Sequence, residues 1–219
     1  MAAIYFPSCK FSAAFPESSK KIQKYLKERH GMEIAGCCRK SRLSLTEKDT
    51  AIFICHTCMA ICEESSNVGK TLSLWELLNN DIDFKLPDYG GMKLTVQDCW
   101  RSFDRKNEQK CVRNLLKKIN ISIVEQNENF EKTKFCGTSL FNGPDEENNR
   151  LVPSRLGSCS ESVFTSLSPS LQKQKMEAHC SHINTGSVLC YCATCTKGVE
   201  IGGKRAIHLL NLIYDKSNV

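Results

Sequence analysis

The stretch TAIFICHTCMAICEES, Thr50–Ser65, joins three features in a fixed order: an apolar strand, a CxxC pair and the beginning of a helix. Five apolar or small residues precede Cys55, which is typical of a short strand. A CxxC turn lets the thiols of Cys55 and Cys58 face one point, and the amides at the start of the following helix stabilise their negative charge. The stretch therefore predicts an α/β fold with cysteines at the end of a strand.

The same alternation of strand and helix runs through the rest of the chain. AAIYFPSC, MEIAG, KLTVQDC, ISIVEQ and SVLCYC have the composition of short strands, and amphipathic helical patterns lie between them. This alternation favours α/β lobes with mainly parallel sheets. A linker rich in turn residues, around Pro87 and Gly90, separates two halves that repeat at a period of about ninety to a hundred residues.

We therefore expect two similar Rossmann-like lobes, residues 1–88 and 89–219, formed by duplication and related by approximate twofold symmetry. The polar residues around 138–168 predict a long loop inserted into the second lobe. RAIHLLNLIY, residues 205–214, predicts a last amphipathic helix.

Composition limits the classes of protein to which the chain can belong. Hydrophobic residues make up 41% of the chain and charged residues 25%, as in ordinary globular proteins. The net charge of +6 is spread over helix faces rather than gathered in one run, so nucleic-acid binding is not expected. The N-terminus lacks a signal-peptide pattern, and no apolar run approaches the length of a membrane span. We expect a cytoplasmic protein without a membrane span.

The chain has fourteen cysteines, and their positions follow the predicted strands. In a reducing cytoplasm so many cysteines indicate metal binding or redox chemistry rather than structural disulfides. Many of them come at the carboxyl end of a predicted strand or just beyond it, where open α/β sheets place their ligand crevice. They fall into two groups: the first cysteine set is Cys9, Cys37, Cys38, Cys55 and Cys58, and the second cysteine set is Cys99, Cys136, Cys192 and Cys195.

The order within the two sets resembles the cysteine-rich CCG domain that is found in heterodisulfide reductase and its relatives. That family's motif is a Cys after the first strand, then a Cys-Cys pair, then a CxxC pair, and it is usually present twice. Here Cys37-Cys38 supplies the Cys-Cys pair, and CHTC and CATC supply the CxxC pairs. A helix follows each CxxC pair, as in the family, and the resemblance covers nearly the whole chain.

The resemblance implies an iron–sulfur oxidoreductase subunit. In the family such a lobe carries a noncubane [4Fe-4S] cluster held by five cysteines, and here the first cysteine set would hold it and form the reaction site. A ferredoxin-like or flavoprotein partner would donate electrons, because the chain has no ferredoxin-type CxxCxxCxxxCP run. A thiol or disulfide would be the substrate.

Two departures from the family pattern affect what each lobe could bind. Only sixteen residues separate Cys38 from Cys55, a gap about half the family's usual length. Phe135 stands where the family has the first Cys of its pair, so the second set keeps four cysteines, enough for a second [4Fe-4S] cluster or a zinc ion. Cys190, Cys159 or Cys180 could replace the missing ligand, and Cys190 has the best placement.

Two other functions fit the same residues. The protein could be a zinc-binding scaffold or assembly protein on this fold, or a metal-free thiol–disulfide exchange protein that works through its CxxC pairs. His56 could tune a cluster or lie in a turn, and Cys180 with His179 and His182 could form a Cys/His zinc site.

Overall fold

The computed structural model describes residues 2–215, with the backbone alone for residues 159–161. The chain divides into two compact units. The first unit contains the residues up to Leu77 together with Pro144–Val163, and the second contains Leu78–Gly143 together with the residues from Phe164 onward. The segment Pro144–Val163, from the predicted inserted loop, therefore belongs to the first unit although the second unit surrounds it in sequence.

The first unit is built on a four-stranded parallel sheet in the order β2-β1-β3-β4. The apolar residues predicted as strands form its centre: Tyr5 pairs with Ile34 on one side and with Ile52 on the other. The strands are β1 (Ala3–Phe6), β2 (Glu33–Ile34), β3 (Thr50–Phe53) and β4 (Lys70–Ser73).

Helices connect these strands, as parallel sheets require. The longest of them, α2, starts with Pro16 at its first turn and ends at Gly31, which adopts φ +61° in the left-handed region that glycine tolerates best. The helices of this unit are α1 (Cys9–Ala14), α2 (Pro16–His30), α3 (Cys38–Ser41), α4 (His56–Ser65), α5 (Leu74–Asn80, which extends past the boundary of the unit), α7 (Glu146–Leu151) and α8 (Ser160–Val163).

The second unit has a four-stranded parallel sheet with the corresponding strand order, β6-β5-β7-β8. Its strands are β5 (Met92–Gln97), β6 (Ile121–Val124), β7 (Ser187–Cys190) and β8 (Arg205–His208). Its remaining helices are α6 (Lys106–Lys118), α9 (Pro169–Cys180), α10 (Ala193–Ile201) and α11 (Leu209–Tyr214). The prediction of a mixed α/β fold with parallel sheets is confirmed.

Two local predictions were wrong. RAIHLLNLIY is not one helix, because Arg205–His208 pairs with β7 as a strand and the helix begins only at Leu209. The residues around 138–168 are not a plain loop, because they contain a 3-10 helix at Gly137–Phe141 and the helices α7 and α8. Among the described residues, no helix is both long and apolar enough to span a membrane.

Candidate metal centres

The first cysteine set lies where parallel strands end and helices begin. Cys9 is the first residue of α1, Cys38 is the first residue of α3, and Cys55 is the N-cap of α4. Because β1, β2 and β3 are parallel neighbours, the residues that follow them meet at one edge of the sheet. The order places β1 and β3 side by side at the centre, the position at which connections leave in opposite directions.

The sulfur atoms of this set form two contacting groups. Cys58 lies within hydrogen-bonding reach of Cys38 and Cys55, and Cys9 lies within reach of Cys37. The hydrogen bond from Cys58 lowers the pKa of Cys38, while hydrogen bonds with Cys38 and Cys55, together with burial, raise the pKa of Cys58 well above its usual value. The structure thus brings all five predicted cysteines of the first unit to one edge of the sheet.

Solvent reaches this set from one side. Cys9 and Cys37 are exposed and Cys55 is half-buried, whereas Cys38 and Cys58 are buried at 6% and 7% exposure. Cys62 lies one turn beyond Cys58 on α4, where burial raises the pKa of its thiol to about 12. Cys62 is fully buried in the core, as its apolar helical face predicts.

Arg39, directly after Cys38, connects this edge to the segment Pro144–Val163. Its guanidinium forms ion pairs with Asp145 and Glu147 and donates a 2.9 Å hydrogen bond to Asn148. A second contact holds the same segment against α4, because the Glu64 carboxylate accepts hydrogen bonds from the backbone amides of residues 154 and 155. The inserted segment therefore fixes the two helices that carry Cys38 and Cys58.

The second cysteine set converges in the same way on the second unit. Cys99 follows β5, Cys136 precedes the 3-10 helix at Gly137–Phe141, and Cys192 is the N-cap of α10. The sulfur atoms of Cys99 and Cys136 are 3.8 Å apart, and Cys99 also lies within hydrogen-bonding reach of Cys192 and Cys195. These hydrogen bonds, with burial, raise the pKa of Cys99 well above its usual value.

This set is almost sealed from solvent. Cys99, Cys136 and Cys195 are at most 1% exposed, and only Cys192 is half-buried. Arg101 donates a 3.2 Å hydrogen bond from Nε to Cys136 Sγ, which places a positive charge beside the sulfurs.

A close backbone contact holds Cys136 against the CxxC helix. Gly137 has φ +55°, and a Cβ at this position would lie 1.8 Å from the carbonyl oxygen of Thr194. Gly198 on α10 meets Gly137 in the same contact, where an added Cβ would lie 2.6 Å from the Gly137 Cα. Only glycine fits at residue 137, so the CG dipeptide brings Cys136 next to Cys195.

A buried ionic network lies directly behind this set. Asp98, beside Cys99 and fully buried, forms two hydrogen bonds with Arg113, of 2.6 and 2.8 Å. Tyr191, beside Cys192, donates a 2.6 Å hydrogen bond to the same carboxylate. Arg113 also pairs with Glu125. Because every partner is satisfied, the network ties together the ends of β5 and β7, which carry Cys99 and Cys192.

Cys190 and Cys180, considered above as replacement ligands, lie in the buried apolar cluster that also contains Cys99, Cys136 and Cys195. Cys190 is fully buried on β7, and burial raises the pKa of its thiol well above its usual value. Cys180 directs its thiol to the Val199 carbonyl at 3.8 Å. Phe135 packs in the same apolar cluster and stacks on His179, whose Nε2 contacts Gln97. The side chain of Cys159 lies outside the described part of the chain.

One sulfur–sulfur distance of the second set, between Cys99 and Cys136, matches that of two thiolates on a single tetrahedral ion. Four thiolates at the zinc–sulfur distance of about 2.3 Å lie about 3.8 Å from one another, as Cys99 and Cys136 do. The first set offers five thiols, one more than a tetrahedral ion binds, so it suits a centre with more than one metal. The donors of both sets fit soft thiophilic metals such as zinc and iron.

Sequence reasoning missed the charged residues around both sets. Three of these charged residues lie within two positions of a cysteine of one of the sets: Arg39, Asp98 and Arg101. This closeness in sequence was the one feature from which their role could have been predicted. Their partners, such as Arg113 and Asp145, are remote in sequence, so only the folded chain reveals the contacts.

Comparison of the chain with protein-family models, with curated proteins and with solved structures finds no match in any of the three. The resemblance to the CCG family therefore stays a prediction, carried by the cysteine order alone.

Proposed function

We propose that the protein is an iron–sulfur oxidoreductase subunit of the CCG type, similar to the CCG-domain component of heterodisulfide reductase. The observation that carries this proposal is the convergence of five thiols at the solvent-exposed carboxyl edge of the first sheet. Metal centres that react keep a position open to substrate, while purely structural centres are closed. The first cysteine set is accessible from solvent, which a centre that reacts with a substrate requires.

Cys38, Cys55 and Cys58 would hold the buried side of a [4Fe-4S] cluster, and Cys9 and Cys37 would complete it on the solvent side. A bound cluster would supply single electrons to a thiol or disulfide substrate. The amides at the start of α4, which follows Cys55, favour negative charge on the sulfurs. A ferredoxin-like or flavoprotein partner in a reducing, cytoplasmic compartment would donate the electrons.

In this proposal the second unit would have a structural role and would not take part in the reaction. The equivalent strand orders of the two sheets are what a duplicated lobe would have. Its closed set of four cysteines would hold one zinc ion, with Arg101 offsetting the excess negative charge of four thiolates.

The test is metal and acid-labile sulfide content of the anaerobically purified full chain, with EPR on the same sample. We expect about four irons and four sulfides per chain in the first unit. Cys38→Ser should lose the iron and the EPR signal, while the matched variant Cys111→Ser, which changes a buried helical cysteine outside both sets, should keep them. Iron without sulfide, or a signal unchanged in Cys38→Ser, would refute the cluster.

The 3.8 Å contact between Cys99 and Cys136 favours a second candidate, a zinc-binding scaffold without turnover. It predicts zinc and no sulfide in the same preparation, with zinc reduced in Cys136→Ser. Zinc in the second unit together with iron and sulfide in the first would support the oxidoreductase and reject the scaffold.

A further inference from the structure

Two thiols of the first cysteine set differ from the other three in their surroundings. Cys9 and Cys37 are both exposed, and each lies within hydrogen-bonding reach of the other. Cys58 contacts both Cys38 and Cys55 deeper in the unit. The set therefore contains an exposed pair beside a more buried trio.

The exposed pair follows two neighbouring strands of the first sheet. β1 and β2 are adjacent parallel strands, in which Tyr5 pairs with Ile34. Cys9 comes three residues after the end of β1, and Cys37 comes three residues after the end of β2. Continued beyond the strands, the register would bring Cys37 level with Ser8, the residue before Cys9. Neighbouring strands lie about 4.8 Å apart, a separation that is within the range a disulfide spans.

The chain is strained immediately before Cys9. Ser8 has φ 62° and ψ 125°, a conformation that a residue with a side chain rarely adopts. Its hydroxyl accepts a hydrogen bond from the Phe11 amide and so caps the short helix that begins at Cys9. Such strain persists where the surrounding structure imposes it, and it concentrates at functional sites. Cys9, the residue directly after Ser8, is exposed to solvent.

The second unit shows which thiol of the pair is additional. There the first cysteine, Cys99, contacts Cys136, Cys192 and Cys195, and the position that corresponds to Cys37 is Phe135. A set of four thiols therefore converges without any equivalent of Cys37. Cys37 is the sulfur that a four-thiolate set does not need.

We propose that Cys9 and Cys37 form a redox-active dithiol that reduces disulfides by thiol–disulfide exchange. This inference rests on the proposed function for the disulfide class of substrate, and it goes beyond that function by assigning a thiol–disulfide exchange to two particular sulfurs. These sulfurs belong to neither CxxC pair.

The exchange proceeds in two balanced steps. The Cys37 thiolate attacks one sulfur of the substrate disulfide, forming a mixed disulfide and releasing the other sulfur as a thiolate, which takes a proton from water. The Cys9 thiolate then attacks Cys37 Sγ and releases the second substrate thiolate. The substrate gains two electrons, and the Cys9–Cys37 pair loses two as it becomes a disulfide.

The oxidised pair removes two of the five thiols from the first cysteine set. Ligation of a metal by all five thiols and the Cys9–Cys37 disulfide are therefore alternative states of the same residues. A dithiol reductant, such as a reduced protein dithiol, would return the pair to the thiol state.

The experiment exposes the full chain, as purified and after metal removal by a chelator, to glutathione disulfide in glutathione buffers. Free thiols are then alkylated, and the disulfides are mapped by peptide mass spectrometry. We expect a Cys9–Cys37 disulfide in the metal-free chain after oxidation. In the reduced metal-free chain, before oxidation, the alkylation rate of Cys37 should be at least about tenfold above that of Cys99. Cys99 and Cys136 are the matched control, because they form a contacting thiol pair that is buried.

Two variants test the order of attack. Cys9→Ser should accumulate a mixed disulfide with glutathione on Cys37, because the second attack is blocked. Cys37→Ser should form no intramolecular disulfide that includes Cys9. Both positions are exposed, and mapping of the wild-type chain does not depend on either variant.

Two results would overturn the dithiol: full alkylation of Cys9 and Cys37 after oxidation, or pairing of either with Cys38, Cys55 or Cys58. Iron and sulfide measured on the same preparation separate the two proposals. If the chain as purified contains no iron but forms the Cys9–Cys37 disulfide, the cluster is rejected and the dithiol is supported. If the chain as purified contains iron and sulfide but forms no such disulfide, the cluster is supported and the dithiol is rejected.

Discussion

The two cysteine sets occupy equivalent places on equivalent sheets, yet one is open and the other is closed. In the first unit Cys9 and Cys37 are exposed, whereas their counterparts in the second unit, Cys99 and Phe135, are buried. Strand order therefore does not decide the exposure of a site. The residues that surround each set decide it.

The residue that follows Cys38 in the first unit differs from the residue that follows Cys136 in the second unit. The packing around these two cysteines differs as well. Gly137 lets Cys136 approach the CxxC helix closely, whereas Arg39 occupies the corresponding place after Cys38 and pairs with Asp145 and Glu147. Close packing with a buried ionic network is typical of a structural centre. Exposed thiols beside a surface ion pair suit a site that reacts.

The largest effect is expected where the buried network behind the closed set is broken. Arg113→Met leaves the Asp98 carboxylate buried without its bidentate partner, which should lower the free energy of unfolding of the second unit by about 3–5 kcal/mol. Urea unfolding, followed by the fluorescence of Trp100, measures the change. Trp100 packs against the buried cluster that contains Cys99 and Cys136. A loss below about 1 kcal/mol, the range of surface pairs, would contradict the assigned role of the network.

The second largest effect on stability is expected at the close contact between Gly137 and Thr194. Gly137→Ala adds a Cβ against the Thr194 carbonyl at a positive φ, and we expect a loss of about 2–4 kcal/mol in unfolding free energy. The control is Gly186→Ala, since an added Cβ at residue 186 meets no atom within 4 Å. Equal stability of the two variants would show that the second unit tolerates a looser contact between Cys136 and α10.

Metal removal compares the two sets directly. A chelator should remove metal from the open first set at least about tenfold faster than from the closed second set, because the closed set must open locally before the chelator enters. A tenfold difference corresponds to about 1.4 kcal/mol of opening free energy. Metal analysis against time, on wild type and on Cys136→Ser, assigns the two phases. Release of all metal in a single phase would show that the chelator reaches the two sets equally fast.

The smallest effect is expected at the surface ion pairs of Arg39. Arg39→Gln should cost about 0.5–1 kcal/mol, because the side chain is one third exposed, and the cost should shrink in high salt. Lys173→Gln, in the exposed pair with Glu177, is the matched control and should have a smaller effect. Thermal unfolding at low and high salt measures both variants. If the effect of Arg39→Gln on stability does not depend on salt, the ion pairs of Arg39 with Asp145 and Glu147 do not account for it.

Local sequence was sufficient wherever contacts lie close in the chain. The strand at Thr50–Phe53 and the helix after Cys55 were predicted from residue type and spacing alone. Arg205–His208 was misread because its apolar residues continue without a break into those of α11, and one short strand has the same composition as a helix turn. Pairing with β7 decides its conformation.

By itself, the sequence determined the parallel α/β alternation and the placing of cysteines after strands, because strand pattern and side-chain chemistry are local properties. It also predicted that the cysteines after the strands would lie along one edge of each sheet, since the carboxyl ends of parallel strands share one edge. Only the tertiary structure decided that Cys9 and Cys37 face solvent while Cys99 and Cys136 do not. Exposure depends on contacts such as Gly137 with Thr194, and these join residues far apart in the chain.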